Sequence, residues 1–89
     1  MPRVTFPQVL QRHVACPPVE VQGRTVREVL DAAFGMYPAV RSYLLDDTDG
    51  LRQHITVFVD GVVVRDRQRL ATAVGPNARV DVLQALSGG

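Results

Sequence analysis

The sequence contains no lysine, and all ten of its basic residues are arginine. No side-chain amine is therefore present for Schiff-base or isopeptide chemistry, and only an N-terminal amine could serve. Tryptophan is also absent, and a single cysteine, Cys16, excludes an internal disulfide. Cys16 stands in the loop-like stretch Val14-Ala15-Cys16-Pro17-Pro18. A reactive thiol needs a setting that stabilises its thiolate, so Cys16 reads as a bystander.

An excess of charge of either sign is missing too. The formal net charge is +1, too small a field to call for nucleic acid or a membrane surface as partner. No apolar run approaches the roughly 20 residues of a membrane span. Met1-Pro2-Arg3 opens without the apolar core of a secretory signal. These absences predict a soluble, cytoplasmic protein.

Residues for chemistry of its own are equally scarce. His13 and His54 are far apart in sequence and have no neighbouring ligand set, so each is expected to be solvated rather than metal-bound. Asp46, Asp47 and Asp49 before Gly50 suggest a calcium loop, but no glutamate closes it at the required position. Glu20, Glu28 and Asp31 give no paired-carboxylate pattern for acid–base work. Arg65, Arg67 and Arg69 read as a solvated basic run. The expected set of catalytic residues is empty, as is the expected set of metal ligands.

What is present organises into one domain. Eighty-nine residues can bury somewhat more than about 60% of the unfolded surface in a single core. Arg3 to Leu10 alternates apolar and polar positions as a strand does, with Pro7 marking it as an edge or bulged one. Val19 to Gly23 alternates strictly and predicts a second strand, antiparallel to the first. Thr25-Val26-Arg27-Glu28 is a capping box. Val26, Val29, Leu30, Ala33 and Phe34 then follow at spacings of three and four, the apolar stripe of a helix. Gly35 is expected at its C′ position.

Met36 to Leu45 predicts a short helical turn, and Asp46 to Gly50 an acidic loop. His54 to Val59 is a strand with Ile55, Val57 and Val59 on one face and Thr56 and Phe58 on the other. Asp60-Gly61 is a favoured two-residue hairpin turn, and Val62 to Arg65 returns. Leu70 and Val74 anchor a polar connector over 66–74, Gly75-Pro76-Asn77 turns, and Arg79 to Gln84 is the last strand. The order is ββα, a helical turn, ββ, a connector and β. An α+β, β-grasp arrangement satisfies it, with about five strands wrapped on one main helix and the first and last strands parallel in the middle. Residues 1–84 are the expected domain and 85–89 a flexible tail.

That tail, Ala85-Leu86-Ser87-Gly88-Gly89, ends in two glycines, which have no Cβ and can lie extended in a channel too narrow for a side chain. With β-grasp order, Thr25-Val26-Arg27-Glu28 opening the helix, Phe58-Val59-Asp60-Gly61 at the hairpin, and terminal Ser87-Gly88-Gly89, the chain resembles the ubiquitin-like sulfur carriers. These include the small subunit of molybdopterin synthase and the thiamin-pathway carrier. Leu51 to Val59 and Leu70 to Val74 look most like carriers that feed cysteine biosynthesis. Before the last strand the molybdopterin and thiamin carriers usually read Gly-Asp-Glu. This chain reads Gly75-Pro76-Asn77-Ala78, a departure that weighs against those two pathways.

The resemblance implies a covalently modified cosubstrate rather than an enzyme. An E1-like adenylyltransferase and sulfurtransferase, supplying the ATP and magnesium site, would convert the Gly89 carboxylate to its adenylate. A persulfide or sulfide would then replace AMP and leave a thiocarboxylate. That sulfur would pass to a sulfur-accepting synthase. Gly88, Ser87, Leu86 and Ala85 would thread the partner's active-site channel. Phe58 on the outer sheet face, beside Phe6 or Leu83, would form the docking patch. Three alternatives stay open: the small subunit of molybdopterin synthase, a protein modifier joined through Gly89 to target lysines, and an interaction module with a chemically silent terminus.

Overall fold

The structure, a computed structural model, describes residues 1–85. Its centre is a five-stranded sheet in the order β2-β1-β5-β3-β4. The strands are β1 (Arg3–Thr5), β2 (Val19–Glu20), β3 (Ile55–Val59), β4 (Val62–Val63) and β5 (Arg79–Gln84). β1 and β5 run parallel, with Val4 opposite Val80; every other neighbouring pair is antiparallel. One face of the sheet packs on α1 (Val26–Met36). A 3₁₀ turn over Pro38–Val40 and α2 (Arg41–Leu44) follow it. This is the α+β, ubiquitin-like β-grasp fold.

The core follows from the two periodicities. On α1, Val26, Val29, Leu30, Ala33 and Phe34 are all buried. Val4, Ile55, Val57, Val80 and Val82 meet them from the sheet at 0–1% exposure. Leu70 and Val74 are both buried, so the connector is anchored at the two residues the pattern selects.

Three local readings need correction. β1 stops at Thr5 and is an interior strand. Pro7 has no N–H to continue the ladder, and its carbonyl instead accepts from Leu10 N–H at 3.0 Å, opening a 3₁₀ turn over Leu10–Arg12. Gly35 lies inside α1, which runs on to Met36. The helix ends where Tyr37, at φ −128° and ψ 73°, precedes Pro38, a position from which helical geometry is sterically disfavoured. In the capping box, Thr25 Oγ1 accepts from Glu28 N–H (3.2 Å), but the Glu28 carboxylate reaches Arg24 N–H (3.0 Å), one residue before the cap. The N–H of Val26 is used elsewhere, donating to Thr72 O at 3.0 Å.

Loop carbonyls are held by arginines. The Arg27 guanidinium donates to the carbonyls of Asp49 (2.7 Å), Gln68 (2.9 Å) and Arg69 (3.3 Å), tying α1 to the acidic turn and the connector. Arg67, part of the basic run, donates to the carbonyls of Arg52 and Gln53. Two carboxylates do the reverse work. Asp66 accepts the N–H groups of Ala71 and Arg69, both at 2.9 Å. Asp46 accepts the hydroxyl and N–H of Thr48 and the N–H of Gly50.

These hydrogen bonds favour the charged form and hold both carboxyls below the ordinary carboxylate range: for Asp66, first Ala71 and then Arg69; for Asp46, the Thr48 hydroxyl first. A lowered folded-state pKa contributes stability above the unfolded value of about 3.9, and that contribution is lost as pH falls through the folded value. Urea midpoints measured from about pH 6 down to about pH 2 are therefore expected to fall with acidification. The fall should be shallower in the Asp46→Asn, Asp66→Asn double variant; an identical slope would remove these two groups from the account.

Candidate functional site

The site is built around the end of β5. Strand β5 alternates Val80 and Val82 inward with Arg79, Asp81 and Leu83 outward, and its ladder with β3 is the longest in the sheet. Ile55 stands opposite Gln84, and one residue further on Ala85 N–H donates to His54 O at 2.8 Å. Ala85 is exposed yet still tied to the sheet at the start of β3. Leu86, Ser87, Gly88 and Gly89 lie outside the described residues. What the structure fixes is their point of departure.

Outward from that point the sheet divides by polarity. Phe58 is half-buried and stands opposite Asp81 on one side and Val63 on the other. Leu83, 48% exposed, is opposite Thr56, diagonal to Phe58 and within reach of its ring. Val63, 40% exposed, extends the apolar area to the edge strand. On the β1 side the same face is polar. Asp81 accepts from Thr5 Oγ1 at 2.8 Å and pairs with Arg79 at 2.9 Å.

The structure brings Phe58 and Leu83 together on this face and separates Phe6 from them. Phe6 is in the core at 7% exposure, edge-to-face with Tyr37 at a centroid distance of 5.9 Å. The reason is parity: Phe6 follows Val4 by two residues, and Val4 points at the helix. Phe6 is therefore no part of a docking surface.

Cys16 is fully buried, and burial raises its thiol pKa, which disfavours the nucleophilic thiolate. The Gln11 side chain clasps its backbone, accepting from Cys16 N–H (3.2 Å) and donating to Cys16 O (2.6 Å). Among the described residues no three His, Cys, Asp or Glu side chains gather as a metal site would require, and no helix is long and apolar enough to cross a membrane.

Sequence reading missed one juxtaposition. His13 and His54, separated by some forty residues of chain, both line one depression beside Gln84. Their neighbours are Val9, Leu10 and Tyr43. No sequence periodicity links these positions; the parallel β1–β5 pairing does, by carrying the C-terminal ends of β1 and β5 to the same end of the sheet. A roomier depression lined by Met1, Pro2, Arg24 and Val74 lies at the opposite end of that pair and takes no part in the tail's exit.

A sequence model described as the ThiS family matches residues 8–89. Among solved structures, the chain is similar to one in the Amycolatopsis orientalis BexX/CysO complex at 27% identity and TM-score 0.85, with 100% of each chain covered. It is similar to CysO of Mycobacterium tuberculosis at 25% identity and TM-score 0.82, covering 97% of this chain and 100% of that one. A third similarity is to SAMP1 of Haloferax volcanii, at 26% identity and TM-score 0.78, covering 99% and 98%. Comparison with curated protein sequences gives no match.

Proposed function

Because this chain belongs to the ThiS family and shares its β-grasp fold with ubiquitin-like sulfur carriers and modifiers, we propose that it carries sulfur as a thiocarboxylate on Gly89. The observation that carries the reading is the family match running through the final Ser87-Gly88-Gly89, on a fold whose central last strand finishes at the exposed Gln84 and Ala85. The Gly89 carboxylate attacks the α-phosphorus of ATP in an E1-like partner, forming the acyl-adenylate and releasing pyrophosphate. Hydrosulfide then adds at the acyl carbon, AMP leaves, and one oxygen of the carboxylate has been exchanged for sulfur. The magnesium that neutralises the phosphates belongs to that partner, as does every acid or base in the reaction. This chain contributes a slender acyl group and a surface for its recognition.

The thiocarboxylate is then donated to a sulfur-accepting synthase in cysteine or related sulfur-metabolite biosynthesis. The similarity to CysO chains, one of them from a structure with BexX, supports this over the molybdenum-cofactor pathway. A second reading rests on the similarity to SAMP1, a small archaeal modifier protein: the same adenylate would be attacked by a target amine instead. Having no lysine, the chain offers no side-chain amine as an acceptor for its own activated tail under either reading. An isopeptide on a target lysine, found by mass spectrometry of cell extracts, would favour the second.

ATP–pyrophosphate exchange by an E1-like protein from the same source tests the first step. Exchange is expected to depend on this chain and to vanish when Gly89 is deleted. Exchange that is unaffected by that deletion would contradict the reading.

The apolar patch of Phe58, Leu83 and Val63 is proposed as the surface on which the partner docks. Leu83→Glu places a charge at the centre of this exposed area and is expected to raise the KM for the chain about tenfold, equivalent to roughly 1.4 kcal/mol. Because Leu83 is already half in solvent, kcat and thermal stability should change little. An unchanged KM would move the docking surface elsewhere.

A further inference from the structure

The depression beside Gln84 has features that the sulfur-carrier chemistry does not use. Its volume is about 210 Å³, with the buried Leu10 at its floor and Val9, His13, Tyr43, His54 and Gln84 around it. His13 and Tyr43 stack, with ring centroids 6.1 Å apart and planes at 15°. Both histidines are exposed. A neighbouring depression shares Val9 and adds Gln8, Gln11 and Arg12.

The distribution of charge around it is one-sided. The stretches that supply the lining, residues 1–19, 37–45, 51–59 and 82–85, contain no aspartate or glutamate. All nine carboxylate side chains of the protein lie elsewhere in the sequence. The same stretches carry Arg3, at the far end of β1, and Arg12, Arg41 and Arg52. The ion pairs among the described residues are Arg41–Asp49 and Arg79–Asp81. Arg41 is thus neutralised and Arg52 lies close enough to Asp46 to favour its charged form, whereas Arg12, lining the neighbouring depression, makes no ion pair among the described residues. Arg12 therefore sets a positive sign beside a lining that holds no carboxylate, at the end of the sheet where β5 finishes.

We propose that this depression receives an acidic segment of the protein partner that takes the tail, an inference that rests on the tail-transfer reading above. Imidazole N–H groups of His13 and His54 would donate to its carboxylates, and the flat His13–Tyr43 pair with Val9 would cover its aliphatic carbons. Complementary charge steers encounter and fixes register, which matters for a partner that must align a narrow channel with the end of β5. Leu83 and Phe58 lie on the outer face of the sheet and this depression on the helix side, so a partner using both would grip the root of the tail from two sides.

The test uses the intact, ¹⁵N-labelled 89-residue chain titrated with the capped hexapeptide Glu-Leu-Glu-Asp-Leu-Glu. The control is the same peptide with glutamine and asparagine in place of its acids. Saturable amide shifts are expected at Val9, His13, Tyr43 and His54, with an affinity in the range of about 1 mM. Affinity for the acidic peptide should exceed that for the control by about fivefold or more and fall with added salt. The His13→Glu, His54→Glu double variant, changed only at exposed positions, should lose the response while its spectrum elsewhere stays unchanged. Equal shifts with both peptides, no shifts at these residues, or a response to ATP in place of the peptide would overturn the proposal. Because no tail chemistry is involved, a peptide response with no thiocarboxylate on Gly89 would retain the surface and reject the sulfur-carrier reading; the converse would do the opposite.

Discussion

Gly88→Val is expected to lower thiocarboxylate formation about a hundredfold or more while leaving the melting temperature within a degree or so of the parent. The asymmetry follows from where each property resides. Among the described residues the buried cluster is drawn from Val4 to Val82, and none of the packing within it is altered by a change at position 88. The acyl carbon of Gly89, by contrast, must reach the α-phosphate of ATP inside another protein. A β-branched residue immediately before it restricts the backbone to fewer conformations and adds an isopropyl group to a segment that glycine keeps at backbone width. Misplacement of a reacting atom by about 1 Å can cost around a hundredfold in rate. Gly88→Ala, which adds a single methyl, should fall between the two. The rate is read as sulfur incorporated per unit time under saturating ATP and sulfide. A Gly88→Val rate within about threefold of the parent would mean that the tail is not threaded through a narrow channel.

Leu30→Ala is expected to have the largest effect on stability, about 2–5 kcal/mol. Leu30 is at 0% exposure on the buried stripe of α1 and is among the largest fully buried side chains. Truncation removes three carbons from contact with the sheet and leaves a cavity that the interdigitated valines around it can close only in part. In a domain of this size each kcal/mol shifts the melting temperature by about 4–8 °C, so a fall of about 8–40 °C is expected. The total stability of such a domain is in the range of about 5–15 kcal/mol, and the variant should remain folded at low temperature. Sulfur loading measured there should be near that of the parent, because Leu30 lies beneath the sheet and not at the edge where the tail leaves. A loss below about 1 kcal/mol would indicate a loosely packed helix–sheet interface.

Much of the fold was legible because its signals are local. The spacing of Val26, Val29, Leu30, Ala33 and Phe34 gave the helix and its buried face together. Asp60 and Gly61 gave the hairpin, and both adopt positive φ, 49° and 84°, as the favoured tight turn demands. Errors arose where a local signal competed with a neighbour. Gly35 resembled a helix stop, but Pro38 decides the end through Tyr37. Pro7 suggested an edge strand, whereas it marks the point at which an interior strand ends. Phe6, expected beside Phe58 on the outer face, shares the parity of Val4, which places it inside. The meeting of His13, Tyr43 and His54 could not be read at all, because it depends on sheet order. Leu70 is a further case: its φ of 57° is uncommon for a side chain of that size, and only the pull of the core on one side and the hydrogen bonds of Asp66 and Arg27 on the other account for it.

The central claim is that Gly89 bears the sulfur, and intact-mass measurement with fragmentation of the C-terminal peptide tests it most directly. The protein would be incubated with ATP, sulfide and an E1-like protein from the same source. The account predicts a gain equal to the exchange of one oxygen for sulfur, located by fragmentation on Gly89 and absent without ATP or when Gly89 is deleted. An unchanged mass, with a partner shown to load another carrier of the family under the same conditions, would contradict it.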